Sequence, residues 1–493
     1  MSNPIKKLAG QTAVYGLSSI VGRLLNYLMV PLYVAVFAET SDYGVVSELY
    51  AWIAFLMVLL TFGMETAYFK FLNDSDDKKK VFSNSLLSVL SINGGFLLLT
   101  LIFHQFIANK LLYPNNPEYI ILLALIVVID ATAALPLAKL RAEEKAKKFA
   151  VIQLSSIAVN IGLNLILMLF VFDPDSQHAE TGIRFILVAN LLASLMKPAF
   201  LYKDFLQLKW IWDFALVRAM FRYSFPLALA GFAFIINETV DRILLKHLTY
   251  HNSLGEYSHK AALKLAESQV GIYSASYKLS MLVTIFLQAY RYAAEPFFFA
   301  QAKDKNRNKT YVKVMNYFVG AVFLCFLGVT LNIDIFKYFI PNEAYWEGLK
   351  IVPILLLANV FSGIYINQSI WYKLSGQTKF GAYIAIVGAV FTLTLNFIFI
   401  PIYGYIACAW VTFLVYGGQM VASYILGQKH YPIPYNLKKF TLYALVALMF
   451  YFITVFLDLQ EGWGQYIVHN CIILIYVALV WWMEKPKKVT AKL

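Results

Sequence analysis

The sequence predicts an all-α polytopic membrane protein with about fourteen transmembrane helices, arranged as two pseudo-symmetric six-helix lobes plus two extra C-terminal helices. Of its 493 residues, 60% are hydrophobic and only 14% are charged, whereas an average soluble domain carries about 25% charged residues. Apolar runs of roughly 20 residues, each long enough to cross about 30 Å of hydrocarbon, recur along the whole chain. A weak internal repeat and the placement of lysine and arginine supply the rest of this prediction.

The apolar runs define fourteen predicted spans. They lie at about residues 9–37, 44–69, 81–108, 119–138, 150–172, 183–202, 222–247, 270–300, 313–331, 350–372, 381–400, 404–427, 440–458 and 463–483. The first run is longer than a signal-peptide core and lacks a small-residue cleavage site, so no cleavable signal is expected. No segment between runs exceeds roughly 25 residues, which is far below the size of an independent domain.

Lysine and arginine are distributed very unevenly between alternate loops. With the N-terminus in the cytoplasm, and with residues at the very ends of the spans counted with the adjoining loops, the cytoplasmic segments hold 29 of the 41 basic residues, the outer loops hold 7, and the remaining 5 lie within spans. This positive-inside bias predicts that both termini are cytoplasmic. It also accounts for the net charge of +13, because basic loops lie against an anionic inner leaflet. No nucleic-acid partner is therefore expected.

A weak repeat relates the two halves of the chain. Residues 141–145 follow span four and residues 375–379 follow span ten, and a Leu-Asn pair comes about twenty residues later in both, at 163–164 and 395–396. Chance similarity among apolar helices is the alternative for any single match. Six spans per repeat place the halves parallel, related by an axis along the membrane normal. The predicted domains are an N-terminal lobe at 1–202, a cytoplasmic amphipathic linker at 203–222, a C-terminal lobe at 223–428, and an extra helix pair with a basic tail at 429–493.

Span eight has one polar face. Its members recur at steps of three or four, the period of one side of a helix, and they are Tyr273, Tyr277, Ser280, Thr284, Gln288, Arg291 and Glu295. Such a stripe predicts a helix lining an aqueous cavity. The alternative for Arg291 and Glu295 is mutual neutralisation at i,i+4. Lys278 has no carboxylate three or four residues away on its helix, so that alternative does not apply to it.

Span one carries a similar stripe, formed by Gln11, Tyr15, Ser18, Ser19, Gly22 and Asn26, with Arg23 on its edge. Small polar residues also let membrane helices pack closely, which is an alternative explanation for the serines and for Gly22. It does not explain Arg23, which lies about halfway along the span.

Four carboxylates in the spans are candidates for ion coupling. Glu238 and Arg242 are spaced i,i+4 in span seven, which favours a structural ion pair and leaves Asp241 to bind a proton or another cation. Glu65 in span two and Asp130 in span four are further candidates, because ionisable groups inside membrane helices commonly serve transport.

No enzyme signature is present. The sequence has no Walker loop, no GxSxG and no HExxH, and its histidines and cysteines show no metal-ligand spacing. We therefore expect no catalytic residue, no cofactor and no metal. A membrane glycosyltransferase or polymerase is the enzymatic alternative. It requires carboxylates on a sizeable outer loop, whereas Asp173, Asp175 and Glu180 share a short one.

Several short motifs resemble those of the polysaccharide (O-antigen type) flippase family of the multidrug/oligosaccharidyl-lipid/polysaccharide exporter superfamily. The motifs are Asp42-Tyr-Gly, residues 223–226 with Asp241-Arg242, residues 270–279, residues 375–379, and Leu395-Asn with residues 400–404. The resemblance implies two lobes in a V around a central cavity, alternating access, and localisation in the bacterial cytoplasmic membrane. It also implies a cargo of undecaprenyl-diphosphate-linked oligosaccharide for surface polysaccharide, and a lipid-tail groove beside spans thirteen and fourteen.

The residues supply the chemistry that such a cargo needs. A diphosphate is bound by cations, and arginine forms the better fork; Arg23, Lys278 and Arg291 lie on the helices that match the cation-bearing ones of related lipid II flippases. Asn26, Tyr273, Tyr277 and Gln288 offer amide and aromatic surface to the sugars. Expected partners are the lipid-linked oligosaccharide and membrane lipids, with a proton or sodium ion as candidate coupling ion and polysaccharide-assembly proteins as candidate protein partners. A cation-coupled drug or organic-cation antiporter of the same superfamily is the alternative function, but it requires a net acidic cavity.

Overall fold

The computed structural model describes residues 21–22, 24–25, 27–174, 176, 178–210, 212–302, 304–457, 459 and 462–485. Two predicted site residues, Arg23 and Asn26, lie outside this part of the chain, as does Asp175 of the short loop. Within the described ranges the regular structure is entirely helical.

The helices are numbered here in chain order. They are α1 (Met29–Val36), α2 (Thr40–Thr61), α3 (Met64–Asp74), α4 (Lys78–Lys110), α5 (Glu118–Ala142), α6 (Ala146–Ile166), α7 (Ala179–Leu206), α8 (Phe214–Ser253), α9 (His259–Gln301), α10 (Arg307–Thr330), α11 (Ile333–Phe336), α12 (Val352–Gln368), α13 (Ile370–Leu374), α14 (Lys379–Tyr403), α15 (Tyr405–His430), α16 (Leu437–Leu457) and α17 (Trp463–Glu484). A π-helical turn, Leu167–Val171, extends α6, and two 3-10 helices, Lys337–Phe339 and Glu343–Ile351, lie between α11 and α12.

Thirteen helical segments of the described chain are long and apolar enough to cross a membrane. They coincide with the second to the fourteenth predicted spans, and the predicted all-α polytopic class is confirmed. Of the first predicted span, 9–37, the structure describes little more than α1, at its end.

The second predicted span, 44–69, is continuous in the sequence but forms two helices. Phe62 and Gly63 separate α2 from α3, because both adopt left-handed backbone conformations, with φ of 47° and 66°. Glycine accepts this conformation since it has no Cβ. A Cβ on Gly63 would also lie 3.2 Å from the carbonyl oxygen of Ser224 in α8. The break therefore falls where the backbone passes close to α8, against which both helices pack.

The predicted linker 203–222 ends inside a long helix and not in a separate short one. α8 is continuous over 40 residues, and the side chain of Asp213 caps its N-terminus by accepting a backbone hydrogen bond at 3.0 Å. Lys80 pairs with Asp213 at 2.7 Å, and this hydrogen bond lowers the pKa of Asp213 below its ordinary value. Met220 is fully buried against α3, α4 and α5, so the start of α8 belongs to the packed core.

The chain divides into two compact units. Unit 1 comprises Met1–Ser274 and Thr392–Tyr405, and unit 2 comprises Ala275–Phe391 and Ile406–Leu493. The divisions fall inside α9 and α14. Unit 1 includes α8 and the start of α9 because both pack closely on α2. The lobe boundaries at 1–202 and 223–428 follow the sequence repeat, not this packing, and they stay a prediction.

Candidate functional site

The predicted polar face of α9 changes character along the helix. Tyr273 and Tyr277 are buried, with exposed fractions of 0% and 7%, while Lys278 and Gln288 are half-buried and Arg291 is exposed. An α-helix rises 1.5 Å per residue, so Lys278 and Arg291 lie about 20 Å apart along α9. The two cations therefore mark two levels of one helix and do not form a single compact pocket.

Arg291 lines a small hollow of unit 2 with residues from two further helices. Asn367 of α12 and Lys373 of α13 contribute to the same lining, and Tyr290 accepts a hydrogen bond from the Asn367 amide there. The hollow measures about 10 Å³, room for roughly one water molecule. Lys373 was not among the predicted site residues, although it lies two residues before the motif at 375–379. The side chain of Glu295, the predicted partner of Arg291, lies outside the described part of the structure.

Asp241 has a cation partner, contrary to the expectation that it is left over. Its carboxylate pairs with the Arg242 guanidinium at 3.0 Å and accepts a hydrogen bond from the Tyr273 hydroxyl. Arg242 also donates to the backbone carbonyl of Glu238 at 3.0 Å, and its guanidinium lies 5.4 Å from the Tyr273 ring centroid. Arg242 thus folds back along α8, where Tyr273 of α9 covers it.

Glu65 and Asp130 are each held by a cation from another helix. Glu65 of α3 pairs with Arg141 of α5, and Asp130 of α5 pairs with Lys197 of α7 at 2.8 Å. Both pairs lie within unit 1 and join neighbouring helices. They give each carboxylate a structural role that the sequence does not show.

Among the described residues, the Glu48–Lys246–Glu267 cluster is a deeply buried ionic group that sequence reasoning missed. Lys246 of α8 lies 2.9 Å from Glu48 of α2 and 3.3 Å from Glu267 of α9, and Glu48 and Lys246 are fully buried. The Lys246 ammonium also lies 3.4 Å from the ring centroid of Tyr113 and donates to the carbonyl of Leu111 at 3.2 Å. Glu48 could have been found in the same way as Glu65, because it too is an ionisable residue within a predicted span. Lys246 lies at the end of the predicted span 222–247 and counts there among the basic residues of the outer loops.

Beside this cluster, α2 and α9 touch backbone to backbone at the α2–α9 crossing, defined by Gly44 and Gly271. A Cβ on Gly44 would lie 1.9 Å from the carbonyl oxygen of Glu267, and a Cβ on Gly271 would lie 1.9 Å from that of Thr40. The hydroxyls of Thr40 and Ser268 are 2.5 Å apart at the same place. Small residues of this kind allow membrane helices to approach most closely, so the crossing is a tightly closed contact.

Unit 2 contains an apolar groove between α10, α12, α15 and α16. Its volume is about 330 Å³. The lining residues are Val319, Phe323, Phe361, Ile364, Gln368, Met420, Val421, Tyr424, Leu437, Phe440, Thr441 and Ala444. This groove is lined by aliphatic and aromatic side chains, with few polar groups, and it borders the first of the two extra C-terminal helices.

One helix, α12, separates this groove from α9. Asn359 donates to the carbonyl of Ser280 at 3.1 Å, and a Cβ on Gly363, one turn later, would lie 2.5 Å from the Leu287 side chain. Asn367, one further turn along, reaches Tyr290. These residues recur every four positions and form the α9-facing side of α12. Phe361, Ile364 and Gln368 occupy other positions of α12 and line the groove.

Among the described residues, no group of three or more His, Cys, Asp or Glu side chains is placed to hold a metal ion. Glu65, Asp130 and Asp241 occur instead in pairs with a cation, and Glu48 and Glu267 share Lys246.

Comparison with known proteins gives one family and one fold. The model of a family described as "Polysaccharide biosynthesis protein" matches residues 8–301. No curated protein matches the sequence.

Solved structures share the fold at low identity. A structure of the lipid II flippase MurJ in an inward closed conformation is 16% identical, with 95% of this chain and 98% of that chain covered and a TM-score of 0.71. A multidrug-resistance MATE transporter in an inward-facing conformation is 13% identical, with coverages of 83% and 94% and a TM-score of 0.63. A mutant of the Vibrio cholerae MATE transporter VcmN is 13% identical, with coverages of 86% and 96% and a TM-score of 0.55. The fold is therefore that of the superfamily to which these transporters belong.

Proposed function

Since the chain belongs to the polysaccharide biosynthesis protein family, we propose that it flips an undecaprenyl-diphosphate-linked oligosaccharide across the bacterial cytoplasmic membrane by alternating access. The observation that carries the proposal is that α12 has a cation-bearing helix and an apolar groove as its two neighbours. The cation-bearing helix α9 packs on one side of α12 and the apolar groove lies on the other. A cargo with an anionic, sugar-bearing head and a long isoprenoid tail needs both environments.

The head group requires cations and hydrogen-bonding surface. Lys278 and Arg291 offer charge at two levels of α9, so the diphosphate passes from one level to the next as the head group moves. Arg23 and Asn26 of span one are proposed to complete the path, with Tyr277 and Gln288 offering surface to the sugars. Tyr273 is committed to Asp241 and acts as support for the site.

The tail requires only apolar surroundings, because it remains in lipid throughout. A groove of about 330 Å³ accommodates several isoprene units at most, so most of the tail lies in the bilayer. The groove borders α16, in agreement with the expectation that spans thirteen and fourteen flank the tail.

The topology is part of the proposal. Both termini are placed in the cytoplasm, which puts the start of α2 and of α9 on the outer side. Labelling of single cysteines at positions 143 and 305 from the outside tests it, since both positions should be protected in intact cells.

The decisive experiment is flipping of the sugar-lipid in proteoliposomes, together with complementation of polysaccharide export. Arg23→Ala, Lys278→Ala and Arg291→Ala should each reduce flipping, because a hydrogen bond to a charged group contributes about 1.5–3 kcal/mol and its loss weakens binding roughly tenfold or more. Arg23→Lys and Lys278→Arg should retain partial activity. Lys260→Ala is the matched control, since Lys260 is an exposed lysine of the same helix as Lys278.

Three outcomes contradict the proposal. Normal flipping by all three alanine variants removes the cationic path. Transport of an organic cation in place of the sugar-lipid favours the antiporter, and transfer of sugar without flipping favours the glycosyltransferase.

A further inference from the structure

We infer that the Glu48–Lys246–Glu267 cluster holds one proton while the α2–α9 crossing is closed, so that closing the crossing takes up a proton. The inference rests on the proposed function only in assuming that the crossing opens during alternating access. Nothing about the cargo enters it.

Charge balance gives the first step. Two carboxylates share one ammonium, with Nζ to oxygen distances of 2.9 and 3.3 Å. Glu48 and Lys246 are fully buried, and the Glu267 side chain is 14% exposed. With all three groups ionised, the cluster carries a net charge of −1 in apolar surroundings, and an uncompensated buried charge is strongly destabilising. One proton shared between the carboxylates makes the cluster neutral.

Hydrogen-bond donors decide which carboxylate takes the proton. Glu48 accepts from the Tyr113 hydroxyl, from the Trp52 indole at 3.2 Å and from Lys246. Glu267 has Lys246 as its donor. Donors that bond a carboxylate favour its ionised form, so we assign the shared proton to Glu267, the carboxylate with fewer donors.

The surrounding titratable groups do not remove the excess negative charge. Asp42 lies in the first turn of α2 and Glu39 precedes that helix, and Lys264 on α9 pairs with Glu39 at 2.7 Å. The remaining neighbours are His247 on α8, Tyr119 at the start of α5 and Glu180 on α7. Asp42 and Glu180 therefore add negative charge near the cluster.

The position of the cluster links the proton to closure. Glu48 follows Gly44 by one turn of α2, and Glu267 precedes Gly271 by one turn of α9. One of the two closest approaches of the crossing, that of Gly44, is to the Glu267 carbonyl itself. Parting the crossing therefore separates Glu267 from Lys246 and exposes its carboxyl to water, where it ionises. Closed and open forms differ by one bound proton, and falling pH favours closure.

The ligand is a proton and not a metal cation. The Lys246 ammonium already occupies the position between the two carboxylates. A sodium ion placed there would meet a like charge within a few ångströms, at which distance repulsion in a buried site is large.

The test measures closure without any cargo. The three natural cysteines are replaced, Ser268→Cys is introduced at the crossing, and its maleimide labelling is followed for the purified full chain over a pH series at constant sodium. At each pH the rate is divided by the rate of the same thiol in the denatured chain, because the reacting species is the thiolate. This normalised rate, called the labelling rate below, reports exposure of the crossing and not ionisation of the thiol. For one coupled proton the ratio of closed to open form changes by up to tenfold per pH unit, so labelling should slow by up to that factor per unit as pH falls. A labelling rate that does not change with pH, or that changes with sodium concentration instead, overturns the inference.

Variants assign the proton to the cluster. Glu267→Gln removes the titrating carboxyl and should give slow labelling that no longer depends on pH. Glu48→Gln leaves one carboxylate for one ammonium and should flatten the profile as well, which provides a second variant if the first fails to fold. Glu39→Gln is the matched control: Glu39 is ion-paired and exposed at the same crossing, and its variant should keep the wild-type profile. A wild-type profile in both glutamine variants of the cluster contradicts the inference. Failure of sugar-lipid flipping with an intact pH profile contradicts only the proposed function.

Discussion

Replacing Gly271 by alanine should open the α2–α9 crossing. The added Cβ would lie 1.9 Å from the Thr40 carbonyl oxygen, whereas ordinary contact begins at 3.4 Å. The two backbones must therefore part by about 1.5 Å in that direction, since neither atom belongs to a flexible side chain. Gly44→Ala should have the same effect, because its Cβ would lie equally close to the Glu267 carbonyl.

The size of the effect follows from the cost of overpacking. Forcing extra atoms into a packed contact costs about 1–3 kcal/mol. If that cost falls only on the closed form, the ratio of closed to open molecules drops by about 5- to 150-fold. We expect the two helices to separate at such a contact, because packed interfaces switch between discrete states and do not deform continuously.

The assay is maleimide labelling of Ser268→Cys in a background without natural cysteines. Both glycine variants should label faster by the factor above, at unchanged folded yield. Gly94→Ala in α4 is the matched control, since a Cβ there meets no atom within 4 Å and alanine favours the helix. If Gly271→Ala and Gly44→Ala label no faster than Gly94→Ala, the crossing is not the contact that holds the closed form.

Three further predictions concern ion pairs outside the crossing. Asp241→Asn and Tyr273→Phe should both lower the Tm of the purified protein, because each removes a polar group from the buried Asp241–Arg242–Tyr273 contact. If Asp241→Asn abolishes transport at unchanged Tm, Asp241 has a coupling role instead. Glu484→Gln should loosen the packing of α17 on α16 by about 1–3 kcal/mol, since Glu484 is bound by Lys439 at 2.6 Å, and proteolysis of the C-terminal helices should detect the change. The stabilisation from Asp213 should be complete above its ordinary pKa of 3.8 and should fade as pH falls below that value. The reason is that a carboxyl with a lowered folded-state pKa loses its contribution to stability on protonation. A Tm difference between wild type and Asp213→Asn that does not shrink in acid would refute this.

The helices could be predicted because each one is a continuous apolar run. The apolar pattern does not reveal where a run is divided. Phe62 and Gly63 interrupt an unbroken run of predicted span, since the left-handed turn is favoured by the approach of α8 and not by local composition alone. The opposite occurs at 203–222, where the second part of the predicted linker is the beginning of the long helix α8.

The ionic partners could not be predicted because they come from distant parts of the chain. Arg141, which holds Glu65, is 76 residues away, and Lys197, which holds Asp130, is 67 residues away. Only spacings of three or four residues are visible in a helix sequence. That rule suggested a Glu238–Arg242 pair, while the side chain that Arg242 contacts at 3.0 Å is its neighbour Asp241. The roles of Lys278 and Arg291 rest on the pattern of α9 and stay predictions.

The number of cations for each carboxylate separates structural acids from acids that can exchange a proton. An ionisable residue in a predicted span identifies Glu65, Asp130, Asp241 and Glu48 equally well, and the sequence offers no way to rank them. In the structure, the first three each pair with an arginine or a lysine, so each pair is neutral when both groups are ionised. Glu48 and Glu267 share a single lysine, and this excess of one negative charge is relieved by a proton. Opening of the α2–α9 crossing exposes the Glu267 carboxyl, and with it this excess charge, to water. For this reason pH should control the conformation of the protein at the crossing more than at any of the three pairs.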